Sequence, residues 1–268
     1  MLKSNNCKIN KKNGVLYITF PNLTETGVVK HCFSTKIGGV SKGRYAEMNL
    51  SYTNGDDLEA VKVNFKRIAK CMDVKPSSIV MTHQTHTVNI MDVNNADEIL
   101  PDNIDGIITN KKGITLCSSY ADCVPLIFVD PIKKVIATSH SGWRGTVGLI
   151  GKLTVEKMVR DYSCEIENIR VAIGPAICKD CYEVDEVVAD KIREMKFLDL
   201  DKVLFDKGNG HYLLDLKDVC KQTLVHSGIK EENILVSDIC TCCNKDYLHS
   251  HRATKGERGN LCALIALK

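Results

Sequence analysis

No apolar run in this chain approaches the roughly 20 residues needed to cross a bilayer, which argues against a membrane span. The N-terminal stretch MLKSNNCKINKKNG has no apolar core of the kind that makes a signal peptide, and the expected location is the cytoplasm. Charge of one sign is also scarce. The formal net charge is only +3 and the lysines are spread along the chain, so nucleic acid is a poor expected partner. Internal repeats, low-complexity tracts and Pro/Gly-rich linkers are missing, which predicts a single domain over residues 1–268. What remains is the material of a globular core, 44% hydrophobic and 26% charged. Cysteine is abundant, but 13 is an odd number and no export signal accompanies it. Free thiols or metal ligands therefore fit better than a disulfide framework.

Short β-rich segments bounded by turn residues predict strands at 14–20, 78–82, 106–109, 124–130, 134–139, 169–173, 234–237 and 261–267. Apolar residues three and four apart predict amphipathic helices over 56–72, 146–162 and 185–195. A fourth helix is expected from Asp215, a suitable cap, to His226, with Gly228 placed to end it. Four helices among eight or more strands, several joined by short turns, point to α+β layers rather than strict βαβ alternation.

Three residues stand at strand ends, where a rigid scaffold presents reactive groups. His86 lies in MTHQTHTVNI, Cys123 in SSYADCVPLIFVD and His140 in IATSHSGWRGTVG. Gaps of 37 and 17 residues match no local metal motif, so spacing leaves open whether these are ligands or ordinary buried and turn residues. If the segment between Cys123 and His140 is a hairpin, its two ends return to one edge of a sheet. In SGWRGT, Gly142 and Gly145 allow close backbone approach, and Trp143 offers a stacking face. Arg144 adds a positive fork near a helix N-terminus, suited to an anion or to nothing more than a turn. The stretch STKIGGVSKG has the same two readings, an anion cradle or a hairpin turn. Cys178, Cys181, Cys240, Cys242 and Cys243 can be grouped as a second thiolate site, but Cys240 and Cys242 are separated by a single residue, and free thiols are the expectation. His249 and His251 either share a strand face as ligands or lie in an exposed loop, beside Arg252 and Arg258, which suit an anion.

Seven motifs in order, FSTKIGGVSKGRYAEMNLSYTNGDD, THQTH, DGIIT, ADCVPLIFVD, HSGWRG, AIGPAICKDCYEV and CTCCNKDYLHSHRATKGERG, resemble the YfiH/YlmD family, also called the laccase-domain or polyphenol oxidase family. The resemblance covers nearly the whole chain. It implies a layered α/β/β/α sandwich with mixed sheets, and a zinc held by His86, Cys123 and His140. It implies phosphorolysis of adenosine, inosine and S-methyl-5′-thioadenosine, with adenosine deamination as a second activity. A copper-dependent oxidase activity has also been attributed to the family, which makes copper the alternative metal. His86, Cys123, His140 and Arg144 are the expected catalytic residues. Lys36, Asn49, Arg144, Arg252 and Arg258 are the expected contacts to substrate and phosphate. The expected partners are purine nucleosides and phosphate, and a homodimer is left open. Lys36 stands where an arginine is usual, YLHSHRA replaces the usual FFSYRR, and the thiols are more numerous than the pattern requires.

Other chemistries compete. Cys123 and His140 suit a metal-free Cys-His hydrolase, for instance one that edits peptidoglycan precursors. A copper oxidase of phenols needs many histidines, and this chain has eight. A binding or regulatory protein without catalysis is the remaining class.

Overall fold

A strand buried at every position covers both of its faces, and the three longest strands of this chain have that character. In the computed structural model, which describes residues 2–268, they are the last, eighth and ninth strands. In chain order the first strands are β1 (Lys8–Lys12), β2 (Val15–Thr19), β3 (Val29–Ser34), β4 (Ile79–Met81), β5 (Ile90–Asp92), β6 (Gly106–Thr109) and β7 (Thr115–Tyr120). There follow β8 (Val124–Asp130), β9 (Val135–Ser141), β10 (Arg170–Ile173), β11 (Glu183–Asp185), β12 (Leu204–Gly208), β13 (His211–Leu214), β14 (Ile234–Val236) and β15 (Leu261–Leu267). The helices are α1 (Pro21–Thr24), α2 (Leu58–Met72), α3 (Trp143–Val147), α4 (Ile150–Tyr162), α5 (Glu186–Arg193), α6 (Leu200–Val203), α7 (Leu216–His226) and α8 (His251–Thr254).

Two six-stranded mixed sheets form the centre, ordered β1-β2-β3-β15-β7-β4 and β14-β10-β8-β9-β6-β5, beside a small antiparallel sheet β11-β13-β12. Alternate strand residues point to opposite faces, and the strand sequences use both. In β8, Ile127 and Val129 join the core between the sheets, whereas Leu126 and Phe128 face α4, α5 and α7. In β15, Leu261, Ala263 and Ile265 enter the same central core, while Cys262 and Leu264 meet Val61, Phe65 and Ile68 of α2. The result is the α/β/β/α layering that the resemblance implied.

All eight expected strands are present, as is the cap expected at Asp215. Asp57 accepts from the Glu59 amide at the start of α2, Asp185 from Val188 at α5, and Asp215 from Asp218 at α7. Gly228 takes a positive φ of 95° just beyond α7, as its helix-ending role requires. The helix expected over 146–162 is instead two, α3 and α4. Leu149 between them adopts a left-handed φ of 63°, which turns the chain so that Ile150, Val155 and Met158 reach the core. Strands β1, β3, β5, β7 and β11 to β13 escaped the sequence scan.

The antiparallel β8–β9 hairpin pairs Val124 with Ser141 and Pro125 with His140. At its far end the Asp130 carboxylate accepts from the Ile132 and Lys133 amides at 2.8 and 2.9 Å. Cys123 and His140 are thereby carried to one sheet edge, as the hairpin reading expected. Among the described residues no helix is long and apolar enough to cross a membrane.

Candidate metal centre

The donor atoms of His86, Cys123 and His140 lie within 4.8 Å of one another, close enough to bind one cation together. The two imidazole centroids are 4.8 Å apart in an edge-on arrangement. His140 is buried on β9, whereas His86 is reachable from solvent and Cys123 is half-buried. The hydrogen bond from Nδ1 to Asp105 leaves Nε2 of His140 as its donor atom.

Asp105 organises this site, and the sequence reading did not single it out. Its carboxylate is completely buried and accepts the amides of Thr85, His86 and Thr87 at 3.1, 3.1 and 2.9 Å. It also accepts the Thr87 hydroxyl at 2.8 Å and lies 2.8 Å from His140 Nδ1. Three successive amides wrapped on one carboxylate hold the loop in the shape that gives His86 its left-handed φ of 66°. One side chain therefore orients two of the three donors. Burial works to raise the Asp105 pKa, but hydrogen bonds from His140, Thr87 and Thr85 outweigh it and bring the group down to about 2. Burial likewise works to lower the His140 pKa, yet the Cys123 sulfur and the Asp105 carboxylate push it up to about 9. His86 moves the other way, held below the usual range by burial and by His140.

Gly142 closes the back of the site. A Cβ there would lie 2.7 Å from His86 Nδ1 and 3.1 Å from Cys123 Sγ, although its φ of −72° suits any residue. The expected result of Gly142→Ala is a loss of metal affinity of at least about tenfold in a chain that still folds, since the intrusion displaces ligands rather than core. Metal content measured beside a thermal melt checks this, and wild-type affinity in the variant would refute it.

The three donors open onto a cleft of about 610 Å³, whose walls include Gln84, Tyr182, His251, Arg252 and Arg258. Of the expected phosphate contacts, Arg252 and Arg258 reach the cleft. The Nε of Arg258 is buried without a hydrogen-bond partner, and its Nη1 donates to the Asn260 side chain. The Arg252 guanidinium donates to the carbonyls of Cys181 and Glu183 at 3.0 and 2.9 Å. Arg144 is exposed and lies over the Trp143 ring, 4.3 Å from its centroid, outside the cleft wall. Asn49 is fully buried, bonding Asn54 and Asp56 and accepting the Asn260 amide, and Lys36 also lies outside the wall.

The glycine-rich stretch at 34–43 is a tight packing element. A Cβ on Gly39 would lie 2.1 Å from the Glu47 carbonyl oxygen, and the Gly38 amide is occupied by the Glu47 carboxylate at 2.7 Å. Those contacts leave little of an anion cradle. His249 is buried and pushed down to about 3 by burial and by the charges of Lys36 and Arg258, while His251 sits at the cleft. The two histidines do not converge as ligands. The clustered cysteines Cys178, Cys181, Cys240, Cys242 and Cys243 form no disulfide. Cys178, Cys181, Cys240 and Cys243 bring their sulfurs within 4.8 Å of one another, and Cys242 is not among them.

Over residues 30–268 the chain matches the model of a protein family described as multi-copper polyphenol oxidoreductase laccase. The chain belongs to this family. A protein of Bacillus subtilis named purine nucleoside phosphorylase YlmD is 33% identical over 245 residues, which is 88% of this chain and 87% of that protein. A protein of an unknown prokaryotic organism, named adenosine deaminase RL5, is 33% identical over 82% of this chain and 87% of its own length. The crystal structure of hypothetical protein YfiH from Bacillus licheniformis matches with a TM-score of 0.91 at 32% identity, covering 98% of this chain and 100% of that one. That of YlmD from Geobacillus stearothermophilus gives 0.89 at 31%, covering 97% and 98%.

Proposed function

We propose that the chain is a zinc-dependent purine nucleoside phosphorylase. Its substrates are adenosine, inosine and S-methyl-5′-thioadenosine, its products the free base and the (methylthio)ribose 1-phosphate, and adenosine deamination is a second activity. The observation that carries this reading is the convergence of His86, Cys123 and His140 at the foot of an open cleft, with Asp105 bonded behind them. Relatives named for both activities support it.

The donor set fits zinc. One thiolate and two imidazoles suit a borderline-soft ion and leave a fourth tetrahedral position open, as a catalytic site requires. Redox copper chemistry over several metals would need further imidazole clusters, and among the described residues the only other converging group is made of thiols. When bound, zinc supplies Lewis acidity at the foot of the cleft. The protein's own part is positioning. Asp105 fixes the tautomer and the direction of His140, and Tyr182 adds an aromatic face on the wall against which a purine can lie. In phosphorolysis a phosphate oxygen bonds to ribose C1′ as the C1′–N9 bond breaks and the purine leaves with the bonding pair. That requires a held anion beside C1′ and donors for the departing base. Arg258, with its unpartnered Nε, and Arg252 are the cations on the wall.

A product screen with each nucleoside, with and without phosphate, tests the reading. Release of base only when phosphate is present is the expected result, and no turnover of any of the three would defeat it. Arg258→Ala is expected to raise the KM for phosphate roughly ten- to hundredfold, the loss of one charged hydrogen bond, while metal content stays unchanged. An unaltered phosphate dependence would remove Arg258 from the site.

The Asp105-His140-Cys123 line also has the geometry of a thiol nucleophile with an oriented base, which favours the Cys-His hydrolase as a second reading.

A further inference from the structure

We propose that Cys178, Cys181, Cys240 and Cys243 bind a second zinc ion as a closed, structural tetrathiolate centre. The pairing is legible once the chain is folded. Cys178-Lys-Asp-Cys181 is one C-x-x-C, and Cys240-Thr-Cys-Cys243 is another, with Cys242 as a passenger. All four sulfurs lie within 4.8 Å of one another. Cys243 Sγ is 3.9 Å from that of Cys178 and 3.5 Å from that of Cys181. Zinc with bonds of about 2.3 Å sets the edge of a sulfur tetrahedron at about 3.8 Å, so ligation needs only small shifts.

The backbone around the cluster is arranged for charged sulfur. The amides of Cys178 and Cys243 both donate to Cys240 Sγ, at 3.2 and 3.4 Å, the outer hydrogen bonds that settle a thiolate ligand. A parallel bridge joins Ala176 to Cys240, and the Thr241 amide donates to the Ala176 carbonyl at 3.1 Å. The two turns are thus docked on each other before any ligand bond forms. Four protein ligands leave no open position, which marks the centre as structural rather than catalytic.

Its task follows from what the two segments carry. The turn after Cys178 leads into Tyr182, and the segment after Cys243 leads into His251 and Arg252, all three on the cleft wall. Arg252 is bonded to the Cys181 carbonyl, and Thr241 donates to Asp122, the neighbour of Cys123, at 2.6 Å. A zinc here staples two segments distant in sequence into one wall beside the first centre.

Elemental analysis of the reduced wild-type protein is expected to find two zinc ions per chain. Cys181→Ser/Cys243→Ser should hold one and Cys242→Ser two, while His86→Ala/Cys123→Ser should lose only the other ion. Native alkylation with mass mapping gives a readout that needs no variant. Cys243 is exposed and Cys178 and Cys181 are half-exposed, so free thiols there would react. Protection of all three that disappears on adding a chelator, with Cys242 labelled throughout, supports the centre. One zinc per chain with all three labelled, iron in place of the second zinc, or disulfides within the cluster in freshly reduced protein would each overturn it.

Discussion

Cys123→Ser is expected to lose the active-site metal and nucleoside turnover together. A serine hydroxyl is not ionised near neutral pH and is a far poorer zinc ligand than a thiolate. The two remaining imidazoles make a weak site. The fall in affinity should exceed the roughly 10–100-fold that removal of an outer hydrogen-bond partner causes. His86→Ala separates this from the alternative chemistry. A nucleophile at Cys123 served by His140 and Asp105 does not need His86, whereas a three-donor metal site does. Both variants should therefore be metal-depleted at this centre and inactive on nucleosides, as read by elemental analysis and product assay on the same preparations. If Cys123→Ser keeps its full zinc while His86→Ala stays active, the metal reading falls and the hydrolase stands.

Asp105→Asn tests the group behind the ligands. The carboxylate serves five donors, and an amide of the same shape offers one accepting oxygen and turns an NH2 group toward the rest. Whichever way the amide faces, a buried donor meets a donor, and each such unsatisfied group costs about 1–3 kcal/mol. Loosening the 85–87 loop and freeing the His140 ring should reduce metal affinity roughly 10–100-fold and lower the melting temperature. A pH series adds a signature that simple destabilisation lacks. In the wild type the metal must displace the proton that His140 holds up to about pH 9, so affinity climbs about tenfold per pH unit below that point for this one group. Removing the Asp105 charge removes part of what raises His140, and the bend in the profile should move to lower pH. Chelator competition across pH measures it. A bend at the wild-type position would show that Asp105 acts on the fold alone.

The sequence by itself settled what depends on periodicity and local chemistry. The β8–β9 hairpin was legible because an apolar run, an Asp-Pro turn and a second apolar run leave little else for the chain to do, and its closure put Cys123 and His140 at one edge. The cap at Asp215 was legible for the same local reason. Strand β7, TLCSSY, was not, because its serines and threonine hide the apolar alternation that its position between β15 and β4 satisfies. Asp105 was hidden as well. It opens the motif DGIIT, but neither periodicity nor local chemistry gives it a role that Asp102 lacks, although one is a fully buried hub and the other lies open to solvent. His86 could be named from the motifs, but only the fold bends its loop onto that carboxylate. The tertiary structure also decided which of the expected phosphate contacts meet the cleft, keeping Arg252 and Arg258 and leaving the cations Lys36 and Arg144 and the amide of Asn49 outside its wall. It chose four of five clustered cysteines in the same way. Spacing along a chain encodes which face a residue occupies, whereas the meeting of residues 62 positions apart, as for Cys178 and Cys240, is set by which strands pair and in what register.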